Sequence, residues 1–350
     1  MERIFQKELN VSKSHKKLKL KKRKLHSKKY NRKKGENIIK SQSFNNKLII
    51  KIISILFLII LFTTSEIIIK KAQIEIPPLK VAMCAIAKKE NRYIKYFIKH
   101  YKDIGYNHFY LYDRNDIGDE KLTDVQAVKD GIKEGFITVI PFHDPASAFA
   151  AHSYYDCYEN YCSLYDWLSF FDVDEYLVLE PRNSSIQDFL DNPRYNNCEN
   201  IQFNWRVFTD NEKLDYEDKP LIERFPVESD YKYERKHIKS TIRGKLDYNK
   251  FKRNESPHSV YDNIKACTCS GKETNTEYYT WPADLEYASL NHYVTKTVRE
   301  FFEKRYRERG DPDKMDSAYK SYGFYYFFRI NKKTKEKVDI YNQLFHTNYQ

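Results

Sequence analysis

Between residues 79 and 179 the chain alternates short apolar runs with amphipathic segments, and this alternation narrows the possible folds more than any other feature. Leu79–Ala87 (LKVAMCAIA), Asn107–Tyr112 (NHFYLY), Phe136–Phe142 (FITVIPF) and Trp167–Leu179 (WLSFFDVDEYLVL) have the aliphatic and aromatic composition of strands covered on both faces. Glu90–Asp103 sets Tyr93, Ile94, Phe97, Ile98 and Tyr101 along one helical stripe and is stopped by Gly105. Thr123–Gly135 and Ala146–Leu164 supply two further helices. Strand and helix in strict alternation predict an α/β fold, a doubly wound, mostly parallel sheet with helices on both faces. From about Ser184 the pattern loosens into shorter strands and loops, which divides residues 79–350 into halves at 79–180 and 181–350.

The fourth run carries Asp172, Asp174 and Glu175 at its centre. Burying an unpaired carboxylate is costly, so the acids require a cation. In doubly wound sheets ligands bind beyond the carboxyl ends of the strands. Read as one continuous strand, 167–179 sends Asp172 and Asp174 to the same side. Two such carboxylates can chelate a hard divalent cation that in turn binds phosphate oxygens and neutralises a departing diphosphate. Asp113-Arg114-Asn115-Asp116 is a second acidic loop, after the second strand.

The formal net charge of +12 is unevenly placed. Residues 1–47 hold 17 Lys and Arg against 3 Asp and Glu, leaving 44 against 46 in the rest. The folded part is close to neutral, which removes the main argument for nucleic acid as a partner. The tail 1–47 has the composition of a disordered segment. It is followed by LIIKIISILFLIILFTTS, residues 48–65, whose only charge is Lys51. About 18 such residues reach the lower limit for spanning a bilayer, and the basic flank places the tail in the cytosol. The expectation is a type II membrane protein: tail 1–47, a transmembrane helix at 48–65, a stem at 66–78, and a lumenal domain from residue 79. A nuclear basic-tail protein is the reading if 48–65 does not insert.

Six cysteines are an even number suited to an oxidising compartment. They allow about 15 full pairings; Cys84, inside an apolar run, reads as a buried thiol. Cys267-Thr268-Cys269 lacks a second ligand pair for zinc. Asn183-Ser184-Ser185 and Asn254-Glu255-Ser256 have the form of N-glycosylation acceptors.

Several blocks, in order, resemble glycosyltransferase family 92 and its family 2-like relatives. AKKENRYIKYFIKHYKDIGYNHFYLYDRND matches the family's opening block at Glu90, His100, Gly105, Tyr112 and Asp113, with Lys89 and Arg114 where Asn is usual. Asp156-Cys157 and WLSFFDVDEYLVL resemble its Asp-Cys and Asp-x-Asp-Glu-Phe blocks, with Tyr176 for Phe. NWRVFTDNEK, with Thr209 and Asp210 in place of Gly-Ser, LIERFP, KHIKSTIRG, Pro257-His258 and NHYVTKTVREFFEKRYRERG resemble the later blocks. The likeness runs from about Val81 to Gly310.

That resemblance implies a GT-A fold, a nucleotide-sugar donor (a UDP-sugar), a divalent metal (manganese), and transfer of a hexose, galactose favoured, to a glycan acceptor with inversion, in the Golgi or endoplasmic reticulum lumen. Asp172 and Asp174 are then the metal ligands, with His258, or alternatively His292, completing the sphere. Glu90, Asp113, Asp172, Lys239, Arg243 and Lys296 are the expected donor contacts. Asp210 is the expected base, with Glu212 behind it. The alternative is a catalytically decayed transferase fold serving as a glycan-binding or scaffolding membrane protein; nucleotide-sugar turnover separates the two.

Overall fold

The computed structural model describes residues 46–62, 77–116, 118–143, 149–182, 184–254, 256–274, 279–309 and 317–349. The chain divides into two units, residues 1–77 and 78–350. In the first, residues 46–62 form helix α1, whose apolar side chains, Leu48, Phe57 and Leu61 among them, are exposed. A helix of that length reaches roughly 25 Å at ~1.5 Å per residue. Among the described residues no helix is long and apolar enough to cross a membrane. The expected span 48–65 is helical as far as residue 62; residues 63–65, the tail to residue 45 and stem residues 66–76 lie outside the described residues.

The second unit opens with β1 (Val81–Ala87), α2 (Asn91–Asp103), β2 (His108–Asp113), α3 (Gln126–Glu134), β3 (Ile137–Pro141), α4 (Phe149–Tyr161) and β4 (Trp167–Phe170). The strands lie in the order β3-β2-β1-β4, all parallel, with Met83 opposite both Phe109 and Ser169, and Phe109 opposite Ile137. Alternation along β1 sends Val81, Met83, Ala85 and Ala87 into one core with Phe97 and Tyr101 of α2. Ala82 and Cys84 enter the other core with Tyr154 and Tyr158 of α4. Helices therefore cover both faces, as the alternation predicts.

The fourth run departs from expectation. It is not one strand: β4 ends at Phe170, residues 171–174 turn, and β5 (Glu175–Leu179) leaves the parallel layer. The chain continues through α5 (Ile186–Leu190), β6 (Asn200–Val207), α6 (Leu221–Arg224), β7 (Ile238–Arg243), β8 (Lys252–Arg253), β9 (Tyr261–Asp262), β10 (Ala266–Thr268), β11 (Glu273–Thr274), β12 (Ala288–His292), α7 (Val298–Arg309), α8 (Ser317–Ile330) and α9 (Lys335–Tyr349). β7 extends the main sheet antiparallel to both β4 and β6, and β12 joins β6 to β5, with His292 opposite Glu175. The acids thus sit where the chain passes from one layer to the other.

Cys84 is not a free thiol: it bridges to Cys157, tying β1 to α4, and Cys198 bridges to Cys267. Cys162 and Cys269 are buried thiols. The Asn254 side chain is buried at 4% exposure, with its amide bonded to Asp262 at 2.6 Å and its oxygen to the Ser256 amide. An amide so enclosed has no room for a glycan, which corrects that expectation; Asn183 lies outside the described residues.

Candidate active site

The turn after β4 is built by its own polar groups. The Glu175 amide donates to the Asp172 carbonyl, and the Asp172 amide donates to Glu175 Oε2, each at 2.9 Å. This turn, and not strand alternation, aims the carboxylates, and it sends Asp172 and Asp174 to different partners. Asp172 accepts from the Tyr154 hydroxyl at 2.8 Å and pairs with Lys239 Nζ at 2.9 Å. Asp174, 2% exposed, receives Lys296 Nζ and Lys304 Nζ on the same oxygen, Oδ2, each at 2.7 Å. His292 Nε2 faces its other oxygen, Oδ1, at 3.6 Å.

The cations come from three elements. Lys239 of β7 stands two residues beyond the last β4–β7 pair, Ser169 with Thr241, which carries it past the end of β4 to Asp172. Lys296 follows β12 and holds φ at 50°, in the left-handed region that non-glycine residues seldom adopt. Lys304 lies on α7. The helix entry is fixed by a capping box in which Thr297 and Glu300 bond one another. Glu300 also holds a buried bidentate pair with Arg224 at 2.9 and 2.6 Å.

Burial would raise the Asp174 carboxyl, but Lys296 and Lys304 hold it well below the usual carboxylate range. Burial likewise works against Asp172, and Lys239 draws it down. Glu175, fully enclosed, is pushed well up by burial, with Lys239 opposing. Burial lowers His292 below the ordinary histidine value, with Asp174 opposing, so the ring is favoured neutral.

A divalent cation fits part of this set. Asp174 Oδ1 and the neutral His292 Nε2 face each other, and such ions take one or two protein ligands and fill the rest with water and phosphate oxygens. Asp172, engaged by Lys239 and Tyr154, is not in that pair. Among the described residues no group of three or more His, Cys, Asp and Glu side chains is placed to hold an ion by protein alone. Asp172 and Asp174 lie close enough to act on one another's charge, but each is engaged by lysine, and His292 faces Asp174 Oδ1.

Glu90 follows β1 and Asp113 ends β2, at the same edge of the sheet as the acid turn. Glu90 is 6% exposed and adds to the negative charge felt by Lys296. Both Asp113 oxygens serve its own loop, accepting from Asn115 and from the Leu122 amide. A cavity of about 610 Å³ runs past Asp113, Lys121, Thr138 and His143. A second, of about 250 Å³, is lined by Lys89, Arg92, Lys296 and Lys304 together with Glu300 and Glu303.

Three expectations do not hold. Arg243 lies opposite Trp167, the first residue of β4, so it sits at the far end of the strand from the acid turn. Its guanidinium bonds the Cys198 and Tyr195 carbonyls and stacks on Trp167. Asp210 is 1% exposed and paired with buried Lys337 at 2.6 Å; burial raises its carboxyl in spite of that lysine, but a group so enclosed has no open face for an acceptor hydroxyl. Glu212 pairs at the surface with Lys332. His258 turns Nδ1 to the Ile238 carbonyl and packs on Trp205, and its pKa is lowered by burial to about 3; it does not face Asp174 as His292 does. Lys304, Tyr154 and Glu175 went unassigned in the sequence. The four-residue spacing of Lys296, Glu300 and Lys304 was the available signal for Lys304.

The sequence profile of glycosyltransferase family 92 matches residues 78–322, which include every group described at the acid turn. No curated protein matches the chain significantly. Among solved structures, the crystal structure of S. aureus TarS 1-349 aligns over 72% of this chain and 70% of that one, at 9% identity and a TM-score of 0.35. The same protein in complex with UDP aligns over 71% of each chain, at 10% identity and a TM-score of 0.35.

Proposed function

The chain belongs to glycosyltransferase family 92, and on that premise we propose that it moves a hexose, galactose favoured, from a UDP-sugar to a glycan acceptor with inversion, on a GT-A fold. The observation that carries this reading is the coincidence of the family match with a charged turn at the ligand-binding edge of the sheet. Asp174 and His292 would hold the divalent cation, manganese, which would supply charge neutralisation for the departing diphosphate. Lys239 fixes Asp172, and Lys296 and Lys304 bring positive charge to the same edge.

The protein is anchored by residues 48–65, with the catalytic domain in the lumen of the Golgi or endoplasmic reticulum. The basic tail, the apolar run and two disulfides support that topology. A donor screen tests the enzyme reading: purified protein with manganese is offered a panel of nucleotide sugars, and nucleoside diphosphate release is measured. Release from a UDP-hexose, fastest with UDP-galactose, is the expected result. No release from any donor, with glycan binding retained, would instead favour the decayed, glycan-binding alternative.

A further inference from the structure

Past the acid turn, the same edge of the sheet carries a group of exposed rings. β7 runs antiparallel to β4 and its Lys239 reaches Asp172, so the residues just before β7 lie beyond the edge that bears the turn. Two segments meet there. Residues 231–237 (YKYERKH) lead into β7, and residues 279–282 (YTWP) lie against them, with Tyr279 opposite His237 and the Thr280 amide on the Lys236 carbonyl at 2.8 Å. Both segments are pinned to β6 from within. The buried Asn204 amide donates to the Arg235 and Thr280 carbonyls, and the Thr280 hydroxyl donates to buried Gln202.

Trp281 is 66% exposed, Tyr233 56% and Tyr279 46%. The Lys236 ammonium lies 3.8 Å from the Tyr233 ring centre and 5.1 Å from that of Tyr279, which ties two of the rings into one surface. Exposed aromatic surface on a packed domain marks a binding face. Neither segment contains Val, Leu, Ile or Met, so the face offers flat rings and hydrogen-bonding groups without the aliphatic surface that insertion into lipid draws on. A sugar ring suits it. One face of a pyranose presents C–H groups that lie on an aromatic ring, while its hydroxyls accept from a donor such as an ammonium. Tyr and Trp supply that contact at low conformational cost. Ring contacts continue inward: His237 packs on Trp205 at 4.9 Å, Trp205 packs on His292 at 4.2 Å, and His292 faces Asp174. The exposed face is thus continuous with the acid turn.

We propose that Tyr233, Tyr279 and Trp281 form a platform on which a pyranose ring of the acceptor glycan stacks, Lys236 donating to its hydroxyls, so that the neighbouring sugar is presented to the acid turn past His237. The proposal rests on the glycosyltransferase reading and gives the acceptor a place.

An array of immobilised oligosaccharides, probed with the full chain in detergent, reads the platform without catalysis. The wild type binds a defined set of glycans. Trp281→Ala and Tyr279→Ala each weaken that binding by about tenfold, the scale of one truncated aromatic anchor, and Trp281→Phe, which keeps a ring, retains most of it. With the best-bound glycan as acceptor, the Ala variants raise the acceptor KM and leave the donor KM, a split that misfolding does not give. A wild type that binds no glycan, or Ala variants that bind as the wild type does, overturns the proposal. Lipid is the competing occupant. Trp281 is the exposed tryptophan beside buried Trp167 and Trp205, so with the chain in vesicles of brominated phosphatidylcholine, quenching that Trp281→Phe abolishes would assign the face to lipid and overturn the proposal; no such quenching is expected. The two readings fail separately. Ring-dependent glycan binding with no nucleotide-sugar turnover sinks the transferase reading alone, and turnover with an unchanged acceptor KM in the Ala variants sinks the platform.

Discussion

Asp174 joins the two halves of the site, with lysines on one oxygen and the His292 imidazole facing the other. Its carboxyl stays ionised because the lysines outweigh the cost of burial. Asp172 differs: its carboxylate is partly open to solvent and is held by Tyr154 and Lys239. Substitutions should therefore separate the two acids. Asp174→Asn keeps the shape and drops the charge, and turnover is expected to fall at least ~10²-fold, the scale of a single preorganised electrostatic group. Asp172→Asn should cost less, since Asp172 is partly exposed and has one lysine at salt-bridge distance where enclosed Asp174 has two lysines and His292. Steady-state kinetics on both variants, with circular dichroism as the folding control, checks the order. Full activity of Asp174→Asn would show that the acid does something else.

At the scale of elements, α7 is the part that delivers Lys304, and its entry depends on Glu300. The Arg224–Glu300 pair is about 0% and 1% exposed, so neither charge has water to fall back on. Glu300→Gln leaves the guanidinium buried without a counter-charge. The expected cost is about 3–5 kcal/mol in denaturant unfolding, and a loss below ~1 kcal/mol would show that the pair does not hold α7. The same elements show what could be read in advance. β1 through β4 and α2 were legible because their signal is local: apolar period and stop residues within a few positions. The break at 171–174 was not. Phe-Asp-Val-Asp alternates as a strand does, and only the distant β12, which draws β5 away, decides otherwise. Lys304 was hidden for a related reason, since a lysine in a strongly charged helix reads as solvated until the fold brings Asp174 to it. Arg243 was misplaced because the antiparallel direction of β7 sets which end of the sheet it occupies, and direction has no local signature. Asp210 was misassigned because its partner, Lys337, stands far along the chain on α9.

For the whole molecule, the distribution of charge matters more than its total. Seventeen basic residues precede an apolar run, and the remainder of the chain is nearly balanced. A domain with little net charge gains nothing from a nucleic-acid surface, while a basic flank beside an apolar segment is the arrangement that retains the flank in the cytosol. The described part of that segment is helical with its apolar side chains uncovered, and uncovered apolar surface of that extent calls for lipid or a partner. The Cys84–Cys157 and Cys198–Cys267 bridges point the same way, because thiols stay reduced in the cytosol. The four features support the proposed topology, which puts the tail outside sealed microsomes and the domain from residue 79 within. Protease added to intact microsomes should remove the tail and leave the domain whole, and detergent should expose the domain to digestion. The domain should also stay with the membrane pellet in alkaline carbonate. Digestion of the domain without detergent overturns the topology. Release into the carbonate supernatant with the domain still protected overturns the anchor alone.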